Sequence, residues 1–465
     1  MLKRLTWNAY LARQMMGQRR IPFRPLEELE AMQSRRVRAM VRHAYATVPF
    51  YRDEMRRLGL TPAEFRDVDD LRQLPIVEKE QLQREGHRFR STAYRRADSL
   101  RLRTGGSTGI ACTVDIDTAA LFQNAAHGER ERDLITPLLG DSFGYRETVI
   151  GSPTTTDRVV QEHCQRKGWF PSGLRMKRQY LSLVDSPDEN LRRLNGFQPR
   201  LLRSYGSYLE ELFLHLQRSG SDFVRPKVIT YSSDALSPGI RRLIRDGFGI
   251  PVFGFYEAVE AFKIGFECDR AAGVHQNADL FPLRLVDEEG HPVPDGASGE
   301  VVVSNLVNRA TVLLNYRLGD FASWVGEPCG CGRTLPLLSL PEGRSDEFLT
   351  LPDGRRIHPQ SVRTIVLEDD GVWQFQAVQE SLRELRLTVV PDPEVDGVAL
   401  RNRLSHELAL VLGDAISIHV ELVEHIPRRA SASKFRVVVS KLGSNGGDAE
   451  NGTVGAGAEE AVADA

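Results

Sequence analysis

Between Thr118 and Phe255 helix-patterned and strand-patterned segments alternate, and this alternation restricts the fold more than any other feature of the chain. Thr118 to Ile135 carries a helical apolar period, as do Pro187 to Leu194, Tyr208 to Ser219 and Pro238 to Gly247. Between and after them, Glu147 to Gly151, Arg200 to Ser204, Lys227 to Tyr231 and Pro251 to Phe255 are short and rich in β-formers. Strands joined through helices lie parallel in one sheet, so the fold class is α/β. Such sheets bind ligands where their strands end, which directs attention to the segments that follow each strand.

The flanks read differently. Leu26 to Val48 has apolar residues at three- and four-residue steps, and Pro49 separates it from a second helix, Tyr51 to Leu58. Asp69 to Leu74 and Glu78 to Arg84 are short helices around Pro75. From Leu280 the pattern is strand, polar turn, strand (FPLRLVD, EEGHPVPDGASG, EVVVSNL), and TVLLNYRLGD closes another strand, giving a small antiparallel or barrel-like segment. A boundary is expected near Gly343. Residues 1–343 form a large N-terminal domain, and 344–442 form a small α+β domain with a helix near Pro359 to Leu367 and two strand–helix units. Residues 443–465 hold almost no large apolar side chain and are expected to be a disordered tail. The chain contains no internal repeat.

Composition excludes several function classes. With 465 residues, 41% hydrophobic and 27% charged, the chain is an ordinary globular protein long enough for two or three domains. A net charge of −2 supplies no basic field for nucleic acid or for a membrane surface. No run of eighteen apolar residues is present, so no span is expected. The basic N-terminus, MLKRLTWNAYLARQMM, reads as a packing helix rather than a signal peptide. Five sparse cysteines fit a reducing cytoplasm better than a disulfide framework.

Four stretches carry chemistry. Thr104, Gly105, Gly106, Ser107, Thr108 and Gly109 form a hydroxyl- and glycine-rich loop beside apolar β-formers. Backbone amides and hydroxyls of such a loop hold phosphate oxygens, although an ordinary hairpin turn has the same composition. It is not a Walker A loop, because no lysine follows the last glycine. Cys268 and His275, with six residues between them, and Cys329 and Cys331, in the tight turn EPCGCGR, supply the four soft ligands of a closed, structural zinc site. The plain alternative is a set of buried free cysteines. Glu257 and Glu260 follow the strand ending at Phe255 and Tyr256, where a carboxylate holds Mg²⁺ alongside substrate phosphates. Asp320, after a strand and a glycine turn, suits a ribose diol, and Lys434 lies in a small-residue loop suited to phosphate and carboxylate. Taken singly, each of these charged residues is as well explained by a solvated loop.

In order along the chain, these pieces resemble the adenylate-forming superfamily, and within it the phenylacetate–CoA ligase branch. RTGGSTG is similar to its phosphate loop, and VRHAYATVPFYRDEMRRLGL to the N-terminal helices of the branch. YSSDALS is similar to the segment beside adenine, which includes Ser233, Asp234 and Ala235. YEAVE resembles Tyr-Gly-x-Thr-Glu, which implies that Tyr256 stacks on adenine and Glu260 holds Mg²⁺. YRLGD resembles Tyr-Arg-Thr-Gly-Asp and gives Asp320 the ribose hydroxyls. GRSDEF resembles the hinge motif, with Arg344 near ribose and phosphate and Asp346 at the pivot. PRRASASKFR resembles the C-terminal lysine loop and assigns adenylation to Lys434. The spacing of Cys268, His275, Cys329 and Cys331 is also similar to a zinc site of some members of the branch.

The sequence departs from the pattern at Glu257 for glycine, Val259 for threonine, Ile110-Ala111-Cys112 after the phosphate loop, and Ser433 before the lysine. None removes a charged group; Glu257 adds an acid beside the metal position or the substrate.

The resemblance implies ATP- and Mg²⁺-dependent activation of a carboxylic acid to an acyl-adenylate, with Lys434, Glu260 and Thr108 as its catalytic residues and transfer to coenzyme A. AMP would be the leaving group of that acyl-adenylate when the thiol attacks, and the small domain would rotate about Asp346 between the two steps. The acid pocket is expected near Tyr205 to Ser207, Ser232 to Ala235 and Phe253 to Tyr256, whose rings favour an aromatic acid. Two other readings compete: adenylation with a carrier protein, an amine or a cofactor hydroxyl in the second step, and a non-catalytic nucleotide-binding homologue. Relatives in the branch are often dimers, which makes a homodimer an expectation of the resemblance alone.

Overall fold

The computed structural model describes residues 2–103, 112–140, 144–151, 156–168, 177–183, 185–339, 343–344, 349–354, 356–357, 362, 365–366, 369, 371–426 and 437–442. The phosphate-loop residues 104–109, Asp346, Lys434 and the tail 443–465 lie outside these. No described helix is long and apolar enough to cross a membrane.

The N-terminal helices are α1 (Leu2–Met15), α2 (Leu26–Thr47), α3 (Pro49–Arg57) and α4 (Lys79–Glu85). Helix α1 packs as its pattern indicates, with the Trp7 ring stacked on Phe122 at 5.0 Å. Pro49 opens α3 rather than only closing α2, because a proline at the first helical position lacks an amide that would be unpaired anyway. The stretch near Asp69 is a short 3₁₀ turn, Asp69–Gln73, rather than an α-helix.

Strands β1 (Ser99–Arg103) and β2 (Thr113–Asp117) pair antiparallel, with Arg103 opposite Thr113. The glycine-rich loop therefore joins two strands. The helix expected over Thr118 to Ile135 is broken into α5 (Thr118–His127) and α6 (Glu129–Leu139) at Gly128. A Cβ at Gly128 would stand 3.2 Å from the Ala125 carbonyl oxygen, a tight approach at the break, and Lys263 Cε lies 3.6 Å away in ordinary contact.

The central sheet is built from β3 (Arg146–Gly151), β4 (Lys177–Ser182), β5 (Leu201–Tyr205), β6 (Val228–Ser232), β7 (Val252–Ala258), β8 (Phe262–Glu267) and β9 (Val274–Gln276). Its helices are α7 (Thr156–Lys167), α8 (Pro187–Phe197), α9 (Gly206–Ser219) and α10 (Pro238–Arg242), the last continuing as a π turn to Gly247. Strands β4, β3, β5, β6 and β7 lie side by side in that order, all parallel, and β8 and β9 extend the sheet antiparallel. Alternate residues supply the two faces. Leu202, Ile229 and Tyr231 pack under α8, α9 and α10, while Leu201, Val228, Phe253, Phe255 and Phe266 pack towards Ile135 and Leu139 of α6.

The expected antiparallel segment is present as β10 (Leu283–Val286), β11 (Gly299–Val303) and β12 (Tyr316–Ala322). Strand β13 (Leu337–Leu338) returns to pair with β9, and β14 (Gly343–Arg344) adds to β12. Asp320 lies inside β12, not after it. Gly319, at φ +77° next to a register shift, makes a bulge that the strand continues through.

A smaller C-terminal unit follows. Strands β15 (Leu349–Thr350) and β16 (Arg356–Ile357) form a short hairpin. The two strand–helix units expected next are instead a long hairpin, β17 (Val372–Ser381) with β18 (Glu384–Pro391), then α11 (Gly397–Leu412), β19 (Ser417–Leu422) and β20 (Val438–Ser440). Ser381 to Glu384 reverse the chain directly, so no helix intervenes. Together the elements give a large mixed α/β N-terminal domain and a smaller C-terminal one.

Candidate active site

The ends of the parallel strands gather the expected site. Tyr205, Ser232 and Phe255 form one row across β5, β6 and β7. Just beyond β6, Ser233 takes φ +78°, a left-handed conformation that turns the chain sharply at the strand end. Asp234 then accepts from the Ser207 amide at 3.2 Å and from its hydroxyl, which ties the turn to the start of α9. A Cβ on Gly206 would fall 2.3 Å from the Ala235 carbonyl oxygen, so only glycine admits this approach.

Tyr256 and Glu257 are still within β7 and point to opposite faces. The Tyr256 hydroxyl donates to Asp320 Oδ2 at 3.0 Å, bridging the central sheet and β12. Asp320 pairs in backbone register with Arg344 of β14. Glu260 lies close by: Tyr316 Oη is 3.4 Å from its Oε1, and its carbonyl accepts from Asn305 Nδ2 at 2.8 Å. Tyr256 and Glu260, Asp320, and the backbone of Arg344 thus come from three chain segments to one region. Ser233, Asp234 and Ala235 cap the neighbouring strand.

On the opposite face Glu257 accepts from Lys263 Nζ at 3.1 Å, and Lys263 also pairs with Glu131 of α6. Burial alone would lower the Lys263 pKa, but the carboxylates of Glu131 and Glu257 outweigh it and raise it. Burial raises the Glu131 carboxyl against the opposing pull of Lys263. The added acid at position 257 is therefore paired inside the fold. Sequence reasoning did not find its partners, or Arg203 and Glu147 next to them. The available signal was a charge set against apolar β-formers, Arg203 in LLRSY and Glu147 before TVIG.

Cys268, His275, Cys329 and Cys331 converge as the spacing indicated. One ligand atom from each lies within 4.8 Å of all the others. Cys268 Sγ is 3.5 Å from Cys329 Sγ, and Cys331 Sγ is 3.3 Å from His275 Nε2. Tetrahedral zinc with sulfur ligands at about 2.3 Å has ligand atoms about 3.8 Å apart, so this spacing fits the ion with little movement. His275 Nδ1 faces the Leu335 carbonyl at 3.5 Å, which leaves Nε2 for a metal. Strands β8, β9 and β13 fix two of the ligands and the ring of Phe266 beside them. Without a metal, burial pushes the Cys268 thiol up to about 12. Four protein ligands leave no open position for substrate.

Residues 349–441 match the family model of the CapK C-terminal domain. Across the whole chain, the solved 2-hydroxyisobutyryl-CoA ligase in its postadenylation state, in complex with 2-HIB-AMP, superposes with a TM-score of 0.73 at 21% identity, covering 91% of this chain and 92% of that one. The same ligase in its thioesterification state, with 2-HIB-AMP and CoA, gives 0.58 at 20% identity, covering 90% and 91%. This is the fold of the adenylate-forming CoA ligases. Among curated proteins the chain is a homologue of the phenylacetate-coenzyme A ligases over most of its length. It is 25% identical to that of Thermus thermophilus, over 90% of this chain and 97% of the relative, and 23% identical to that of Escherichia coli, over 87% and 93%.

Proposed function

We propose that this chain is an AMP-forming acid–thiol ligase that activates a carboxylic acid with ATP and transfers the acyl group to coenzyme A. The observation that carries the reading is the convergence of Tyr256, Glu260 and Asp320, joined by the 3.0 Å Tyr256–Asp320 hydrogen bond, at the ends of parallel strands.

A carboxylate is a poor acyl donor because its leaving group would be oxide. One carboxylate oxygen attacks the α-phosphorus of ATP, the bond to the β-bridging oxygen breaks, and pyrophosphate departs. Positioning and charge neutralisation supply most of such a phosphoryl transfer. In this reading Thr104 to Gly109, Thr108 among them, cradle the phosphates and Glu260 holds Mg²⁺. Asp320 takes the ribose hydroxyls with Arg344 beside it, and Tyr256 packs on adenine between Asp320 and the Ser233–Ala235 turn. Lys434 neutralises the developing charge. The thiol of coenzyme A then attacks the acyl carbon and AMP leaves.

Lys434 lies in the C-terminal unit, so a domain of residues 344–442 pivoting at Asp346 would withdraw it between steps. That a solved relative is recorded in postadenylation and thioesterification states supports two poses. Cys268, His275, Cys329 and Cys331 would hold a structural zinc, which supplies folding energy and no chemistry. That none of the five cysteines is in a disulfide is in keeping with a cytoplasmic location, and a homodimer is checked directly by sedimentation.

ATP–pyrophosphate exchange with Mg²⁺ and a panel of carboxylic acids, coenzyme A omitted, tests the first half-reaction. Acid-dependent exchange is the expected result; its absence from folded, zinc-loaded protein with every acid would sink the reading. Adding coenzyme A then separates thioester formation from transfer to another acceptor.

A further inference from the structure

We propose that the acid substrate carries a hydroxyl at the end remote from its reacting carboxylate, and that Arg203 and Glu257 receive it. The inference rests on the adenylation reading for the position of the pocket and goes beyond it in naming the substrate class.

The row Tyr205, Ser232 and Phe255 belongs to the three stretches where the acid pocket is expected. On the same sheet face, Arg203 precedes Tyr205 by two residues and Glu257 follows Phe255 by two. The Arg203 guanidinium carbon lies 6.0 Å from the centre of the Phe255 ring, and Lys263 Nζ lies 5.6 Å from it. A pocket shaped for a bare hydrocarbon tail would have apolar side chains at these positions.

The hydrogen bonding leaves Arg203 available. Its described hydrogen bond is one long contact, Nη1 to Glu147 Oε1 at 3.4 Å. Glu147 is already engaged by Arg178, whose Nε lies 2.8 Å and Nη2 2.7 Å from Oε2. The Arg203 side chain is 24% exposed, and that of Glu257 is 29% exposed, while Glu147 between the two arginines is 1% exposed. The guanidinium is thus anchored at one corner and presents further N–H donors beside Phe255. An open donor fork held over an aromatic ring is suited to an oxygen acceptor on a ligand.

Charge decides which oxygen. Arg178, Arg203 and Lys263 face Glu147, Glu131, Glu257 and Asp157, three cations against four carboxylates. Such a group has no surplus positive charge for a second carboxylate. A hydroxyl both accepts from Arg203 and donates to Glu257, and it is neutral.

The test pairs each acid with its hydroxylated form: phenylacetate with para-hydroxyphenylacetate, and hexanoate with 6-hydroxyhexanoate. Para-methylphenylacetate controls for size. Exchange is measured alongside equilibrium binding by calorimetry, in wild type, Arg203→Met and Arg203→Lys. The hydroxy acid is expected to be preferred about 10- to 100-fold over its partner in at least one pair, the worth of a hydrogen bond to charged groups in a buried site. Both variants should bring that ratio towards one; Arg203→Lys keeps the charge facing Glu147, so folding loss does not explain its effect. Exchange without hydroxyl preference, or a preference that both variants retain, overturns the proposal while leaving adenylation standing. Arg203-dependent binding of the hydroxy acid without exchange supports the proposal and sinks adenylation. Neither binding nor exchange overturns both.

Discussion

The Tyr256 hydroxyl lies 3.0 Å from Asp320 Oδ2, and this bond joins two sheets whose strands are 64 residues apart in sequence. It fixes the carboxylate that would hold ribose against the ring that would hold adenine. Asp320→Ala should lower exchange activity by about 100-fold or more, because charge-assisted contacts to the nucleotide are lost. Tyr256→Phe keeps the ring and removes only the tether, so a loss of about tenfold is expected. Equal losses in the two variants would show that Asp320 acts only through its bond to the Tyr256 hydroxyl, and would overturn its direct contact with ribose.

Metal content is predicted at one zinc per chain. Cys329→Ser and His275→Ala should each abolish that zinc in elemental analysis and lower stability by on the order of 3 kcal/mol or more. A variant that keeps its zinc, or loses it with no change in Tm, would remove the structural role.

Arg130 and Asp279 form a buried bidentate pair, with Nη1 to Oδ1 at 2.7 Å and Nη2 to Oδ2 at 2.9 Å. They tie α6 to the segment after β9, and Gln18 and Asn277 complete the arginine's bonds. Burial would raise the Asp279 pKa, but Arg130 outweighs it and holds the carboxyl below the ordinary range. A depressed carboxyl contributes stability above the unfolded value of about 4 and loses it as pH falls further. Arg130→Met leaves the buried carboxylate with only the more distant Arg36, 3.9 Å away, and should cost about 3–5 kcal/mol at neutral pH. Asp279→Asn should flatten the fall of Tm below about pH 4; an unchanged acid limb would count against the linkage.

Glu210 of α9 is buried where the two domains meet, beside Ser237, Asp234 and Gln374 of β17. Ser237 N donates to it at 2.6 Å, yet burial dominates and pushes its carboxyl up to about 7. An acid with a raised folded value contributes most below its unfolded value and loses that contribution as pH rises to the folded one. Stability should therefore fall by on the order of 3 kcal/mol between about pH 4.5 and 7. Glu210→Gln should remove that slope in denaturant titrations, and a slope equal to wild type would refute the assignment.

The sequence alone determined the α/β class, the alternation of helices and strands between Thr118 and Phe255, and the grouping of Cys268, His275, Cys329 and Cys331, because local periodicity, turn residues and short spacings are written in consecutive residues. Tyr256, Glu257, Glu260 and Asp320 were legible by motif for the same reason. Their geometry was not: Asp320 read as a turn residue until β12 continued through the bulge at Gly319 to pair with β11. A helix from Thr118 read as unbroken, but the fold divides it at Gly128 into α5 and α6. Glu257 read as a metal-side or substrate-side acid, and only the fold gave it Lys263 as partner. The charged group around Arg203 was invisible because Glu131, Glu147, Arg178, Arg203, Glu257 and Lys263 come from α6 and five strands. Each lies in a different segment, and only the register of the sheet puts the strand residues on one face, where burial makes their pairing matter.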